Sequence, residues 1–355
     1  GGLLMTKNIL ATATILCIAC GGAGVRGDAD RIRPDHPLVR SGTAFTLDVL
    51  RGLDKAGKNL FCSPLSLHMA LSMTRLGARG ATAREMDTAL SLRDLSPAAL
   101  AQGNGDLFLA LDKAKGGATL GIANALWKMR GAPFRQDFLT LCRSRFGAPV
   151  REVLFGSGAG QREINRWIKQ RTEGLIPKML AKPFDALTRL VLVNAIAFRG
   201  KWQLQFNKKN TAPAPFFRED GSSAPRPLMR TSGKFYYGEG DTYQSLLLEY
   251  RDSALSMGVL LPRQGTSVAA LLASLNPATL TQALHPARRR SGEVVFPKFT
   301  LDDGPRKLKP LLMGLGMRRA FDPDQADFTG MSELKTLHIM SVLHKARITV
   351  DEEGT

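Results

Sequence analysis

A chain of 355 residues, 44% apolar and 23% charged, can bury a large core, and its composition excludes wholesale disorder. Its 49 basic against 31 acidic side chains leave a net charge of +18, which favours polyanions or anionic membranes as partners. The basic residues are nevertheless spread out, with only short runs at Arg288–Arg290 and Arg318–Arg319 and no zinc-finger spacing or RNA-binding aromatic motif.

The first segment reads as targeting. "GGLL" before Met5 looks like translated upstream sequence or a cloning scar. Lys7 and then "ILATATILCIAC" follow, an apolar run of about a dozen residues, too short to span a bilayer and right for a signal-peptide core. Residues 1–19 are therefore expected to be upstream sequence and signal peptide, and the chain is expected to be exported. "CIACGG" resembles a bacterial lipobox in which Cys20 becomes the lipidated first residue, giving an envelope lipoprotein. Cleavage after Ala19 and free secretion is the alternative. Residues 20–40, with the polar "DADRIRPDH" and its His36, read as a flexible linker, and residues 41–355 as one domain. Four cysteines make no disulfide framework in a chain of this length; Cys62 and Cys142 read as small core residues.

From Ser41 to Leu53, Phe45, Val49 and Leu53 recur every fourth residue and predict an amphipathic helix. "SPLSLHMALSMTRLG" predicts a second, with Ser63 as N-cap, Pro64 at the first helical position and Gly77 past the end. Thr82–Glu85, "TARE", reads as a capping box opening the next helix. "REINRWIKQRTEGLI" puts Ile164, Trp167, Ile168 and Leu175 on one helical face. The second half turns to strands. "LVLVNAIAFRGKW", Leu190 to Trp202, is apolar almost throughout, as in a central strand covered on both faces. "LSMGVLLP" and "EVVFPKFTL" are further strands, and "HKARITV", His344 to Val350, alternates with a period of two. Helices followed by strands predict an α+β fold with large mixed sheets. Asn194 interrupts the most apolar run, and a buried unpaired amide costs about 1–3 kcal/mol, so it either has partners or sits at a surface bend.

Taken in order, "NLFCSPLSLHMALSMTRLGARGATAREM", "INRWIKQRTEGLI", "VNAIAFRGKW", "FPKF", "LGMRRAF", "ADFTGM" and "HKARITVDEEGT" resemble the serpin family over about Ser41 to Thr355. The resemblance implies a metastable single domain in which helices pack on large mixed sheets. It implies inhibition of serine, or alternatively cysteine, proteases by a suicide-substrate mechanism: the protease acylates an exposed loop, which then inserts as a new strand in the main sheet. The serpin would be a trap and no enzyme, monomeric, without a cofactor or metal; the chain has no G-x-S-x-G elbow and no H-E-x-x-H run.

Residue by residue, the resemblance assigns a sheet-opening polar cluster to Ser63, Ser66, Asn194 and His344, with Ser63 also able to cap its helix. It puts Trp202 at the top of the main sheet and Lys298 close to Glu352 at the base of the reactive-loop hinge. That hinge is Glu352, Glu353, Gly354 and Thr355; Gly354 supplies backbone freedom and Thr355 is small and uncharged enough to be buried. Glu249 stands where the family usually has proline. The bait bond and the C-terminal strands would follow Thr355, so the sequence reads as truncated within the hinge and, as written, is expected neither to inhibit nor to be readily soluble. A non-inhibitory binding serpin, an exported hydrolase and a non-functional fragment are the rival readings, and target specificity is not encoded before Thr355.

Overall fold

The computed structural model describes residues 35–55 and 58–355, together with the backbone of a two-residue strand, β1 (Ile15–Leu16). Cys20 and the remainder of the expected signal region lie outside the described residues. The first half is largely helical, with α1 (Pro37–Leu53), α2 (Pro64–Gly77), α3 (Gly80–Ala89), α4 (Pro97–Ala114), α5 (Gln136–Phe146) and α6 (Gly158–Arg171). Three short helices follow among the later strands, α7 (Val268–Ser274), α8 (Pro277–Ala283) and α9 (Lys309–Gly314).

Several helix ends differ from the sequence reading, each for a local reason. The first helix starts at Pro37, inside the expected linker, because the His36 ring accepts the Leu38 N–H at 3.1 Å and Pro37 is preset for the first turn. Thr82 does not cap α3. Its hydroxyl accepts the Asp327 N–H at 2.9 Å, and Glu85 accepts the Arg318 and Arg319 N–H groups, so both side chains tie down a distant loop. Leu175 lies beyond α6, which ends at Arg171, and Ile176 is the residue buried there.

The main sheet runs β10 (Phe299–Lys307), β11 (Ser341–Val350), β4 (Leu190–Arg199), β2 (Thr119–Met129), β3 (Val150–Val153). The second sheet runs β1, β8 (Ser256–Pro262), β7 (Tyr243–Glu249), β6 (Ser223–Glu239), β5 (Ala212–Phe217), with β9 (Arg289–Pro297) also paired to β6. "EVVFPKFTL" is thus two strands in two sheets, broken at Lys298, whose N–H still bonds Pro227 O of β6.

Both faces of β4 are covered, which explains its unbroken apolar run. Leu190 and Leu192 join the core under α2 and α5, while Val191, Val193 and Ala195 pack on the opposite face with Ile164, Trp167 and Ile168 of α6. Trp167 meets Trp127 of β2 edge-on, centroids 5.7 Å apart, a contact worth about 0.5–1.5 kcal/mol beyond the area it buries. Cys142 is buried and Cys62 partly so, and neither forms a disulfide.

The pairing of the two central strands stops halfway. Parallel β4 and β11 are in register from Val191↔Ser341 to Ile196↔Ala346. Beyond that, β4 stays paired with β2 as far as Arg199, and β11 with β10 as far as Val350. The facing edges of residues 197–199 and 347–350 carry no ladder between them.

Candidate functional site: a polar rung and a folded hinge

The alternation of β4 that sends Leu190 and Leu192 towards α2 sends Asn194 the same way. Register then sets Asn124 of β2 opposite it on one side and His344 of β11 on the other, so a polar rung crosses three strands in the middle of the sheet. Asn194 Oδ1 accepts the Ser66 hydroxyl at 3.1 Å and the His344 Nδ1–H at 2.5 Å. Asn194 Nδ2 donates to Asn124 Oδ1, and Asn124 Nδ2 donates to Ser66 O at 3.3 Å. His344 Nε2 accepts the Ser63 N–H at 3.0 Å, which fixes the proton on Nδ1. Ser63 Oγ meanwhile caps α2 by accepting the Ser66 N–H, so capping and cluster membership coexist. The structure brings Ser63, Ser66, Asn194 and His344 into one network, and Asn194 and His344 are essentially inaccessible.

Burial pushes the His344 imidazole down to about 4, with Asp303 pulling it up and Arg306 pushing it down further. Asp303 is itself held bidentate by Arg306 and accepts the Phe61 N–H. At physiological pH the ring is therefore neutral, which is the state the rung requires. Asn124 was not singled out in the sequence; its only signal is an amide between two alanines, in phase with Leu126.

The second part of the site lies at the other end of β11. The Asp351 carboxylate accepts the Glu353 and Gly354 N–H groups, and the Asp351 N–H donates to Gly354 O, so the chain turns back on itself. Thr355 and Gly200 exchange both backbone bonds, at 2.8 and 2.9 Å. Trp202 N–H donates to Glu353 O and the Trp202 indole N–H to Asp351 O, both at 2.9 Å. A Cβ on Gly354 would stand 2.0 Å from Gly200 O, so only glycine permits this approach. Trp202 is 1% exposed and stacks on Tyr250, centroids 4.8 Å and 12° apart, while the Tyr250 hydroxyl lies 2.8 Å from Thr355 Oγ1. Proline is absent before Tyr250, and Glu249 instead binds Arg289 across the sheet.

Lys298 Nζ reaches Glu352 Oε2 at 2.8 Å, and Thr211 Oγ1 donates to Glu352 Oε1 at 2.9 Å. Burial pushes the Glu352 carboxyl up, yet Lys298, its own backbone N–H and Thr211 together hold it below the usual carboxylate range. Glu353 is exposed and paired with Lys208, which lowers it. The residues expected to form the hinge, 352–355, are thus held by backbone bonds to residues 200–202 and by one buried carboxylate. The Ser41–His68 contact, at 2.9 Å, has the distance of a nucleophile and base, but it is a core contact: both are buried and Ser41 donates to Leu90 O at 2.7 Å.

A helical layer lies on a five-stranded mixed sheet whose central seam is half paired, and β11 leads into a turn at the open end of that seam. The family model Serpin (serine protease inhibitor) matches residues 40–355. A serpin-like protein of Thermococcus kodakarensis is 34% identical over 324 residues, covering 90% of this chain and 74% of the relative, and rat neuroserpin is 33% identical over 335 residues, covering 91% and 80%. Among solved structures, the native thermophilic serpin tengpin aligns with TM-score 0.83 at 27% identity, covering 97% of this chain and 87% of its own. Native protease nexin-1 with heparin aligns with TM-score 0.81 at 27% identity, covering 90% and 88%. The chain belongs to the serpin family, whose members are in general protease inhibitors and not enzymes.

Proposed function

We propose that this protein inhibits serine proteases as a suicide substrate, by inserting its cleaved reactive loop between β4 and β11. The observation that carries the reading is the seam between those strands, paired over residues 191–196 with 341–346 and unpaired above. A strand entering there would find two open edges, and each ladder bond is worth about 0.5–1.5 kcal/mol net, with buried side chains adding more. The hinge supports the same reading. Gly354 and Thr355 are small, and the turn they form is held chiefly by backbone bonds to residues 200–202, which an incoming strand can replace.

The Asn194–His344 bond spans the seam at the level of α2 and acts as the latch that strand entry must break. Trp202 and the Lys298–Glu352 pair act at the top, where entry begins. Export is part of the reading, supported by the apolar segment before Cys20, with lipidation at Cys20 or free secretion as its two forms. The charge of +18, and heparin in the protease nexin-1 structure, support polyanions as secondary partners of a monomer.

The test uses a protein that continues from Thr355 into a reactive loop and the family's C-terminal strands. Incubated with a panel of serine proteases, it should give a covalent complex that survives denaturing electrophoresis. Cleaved protein without complex across the panel would favour a non-inhibitory serpin.

A further inference from the structure

We propose that Asp303 is a positioning residue for the seam: clamped by Arg306, it holds the segment before α2 so that His344 keeps the one tautomer able to bond Asn194. The rung leaves Asn194 no freedom. Its Oδ1 accepts the Ser66 hydroxyl and its Nδ2 donates to Asn124, whose own amide is fixed by a bond to Ser66 O. The Asn194 amide therefore presents only an acceptor to His344, and the imidazole must carry its proton on Nδ1. The group that selects this tautomer is the Ser63 N–H, which donates to Nε2 at 3.0 Å.

Ser63 closes a stretch, residues 58–63, that has no regular secondary structure. Two residues earlier the Phe61 N–H donates to Asp303 Oδ2 at 3.0 Å. Phe61 and Ser63 thus each give a backbone N–H to a side chain of the main sheet, one on β10 and one on β11. Asp303 is placed for this by the bulge in β10 between Asp303 and Arg306. Gly304 inside the bulge has a φ of 106°, and a Cβ there would stand 2.7 Å from His344 O, so glycine lets the bulge lie against β11. The bulge returns Arg306 onto Asp303, Nε to Oδ1 at 2.6 Å and Nη2 to Oδ2 at 2.7 Å, and this paired fork fixes the carboxylate. The Asp303 side chain is only 14% exposed, so little water competes for it. Without Asp303 the Ser63 N–H loses its fixed place. A ring that moved its proton to Nε2 would turn a lone pair on the Asn194 oxygen, and the bond across the seam would be lost. On the loop-insertion reading, on which this consequence rests, strand entry then meets a weaker barrier.

The experiment records the His344 ring nitrogens by long-range proton–nitrogen NMR at neutral pH, with His344→Gln identifying the signals. The parent should show a neutral ring protonated on Nδ1. Asp303→Ala should mix the tautomers, whereas Asp303→Asn, which keeps an oxygen for the Phe61 N–H, should hold the parent's form. Arg306→Met leaves the carboxylate unclamped and should shift the ring the same way by less; it decides the question if Asp303→Ala does not fold. Arg75→Ala breaks another bidentate pair, with Asp87, and should leave the ring unchanged whatever it costs in stability. A parent tautomer kept in both Asp303→Ala and Arg306→Met, an equal change in Arg75→Ala, or an equal change in Asp303→Asn would overturn the assignment and leave a purely structural ion pair. Insertion of a synthetic serpin reactive-loop peptide should be about tenfold faster in Asp303→Ala than in Arg75→Ala, equivalent to ~1.4 kcal/mol of barrier. Equal rates would overturn the role in strand entry. A parent that takes up no peptide would sink the loop-insertion reading while the tautomer readout still stands, so the two proposals fail separately.

Discussion

Asn194 and His344 lie directly opposite each other across the half-paired seam, and the Asn194 carbonyl oxygen accepts both the His344 Nδ1–H and the Ser66 hydroxyl. One amide thereby joins two central strands to the helix beneath them. His344→Ala should leave that oxygen with one partner and the Ser63 N–H with none, lowering stability by about 1–3 kcal/mol. Chemical denaturation of the parent and variant measures it. A double-mutant cycle with Asn194→Ala should return a coupling of about 0.5–3 kcal/mol, since the residues share a network, whereas additive losses would remove the latch.

The same histidine makes stability depend on pH. His344 and His68 are both buried and pushed by desolvation to about 4, from an ordinary value of 6.5. Between those values the unfolded chain binds more protons than the folded one, so the contribution of each ring is complete above about 6.5 and declines as pH falls towards 4. Glu352, held low in the fold, adds a loss in the same direction as pH falls through the carboxylate range. Denaturation midpoints should therefore drop between pH 6.5 and 4. His344→Gln, which keeps an amide donor, should flatten part of that slope.

At the hinge, Lys298→Met should strip the charge partner from a carboxylate that is 4% exposed. Because Lys298 is itself half exposed, the cost is set near 1–3 kcal/mol, below that of breaking a fully buried pair. The loss should fall on the segment after Val350. Hydrogen exchange should show faster labelling of residues 351–355 and 200–202 with the lower part of β11 unchanged. Thr211→Val tests the second support of Glu352 and should produce a smaller effect of the same kind.

Much of this was readable from the residues. Asn194 announced itself because an amide broke an apolar run, and the need of a buried amide for partners is met by Ser66, His344 and Asn124. The alternation of "HKARITV" likewise gave β11 and the side from which His344 points. What the sequence withheld was register. Asn124 stands between small residues in a strand that starts in Thr119, Leu120 and Gly121, and its pairing with an amide 70 positions later depends on which strands meet. The missed cap at Thr82 has the same origin: a pattern that satisfies a local rule was taken up by a partner from residues 325–327.

On the loop-insertion proposal, the seam between β4 and β11 accepts a strand. The most direct measurement is hydrogen exchange of the protein incubated with a synthetic peptide copying a serpin reactive loop. A one-to-one complex with a raised thermal midpoint is expected, with new protection confined to residues 197–199 and 347–350, the two open edges. A peptide that fails to bind, or that binds while those edges exchange as before, would contradict it.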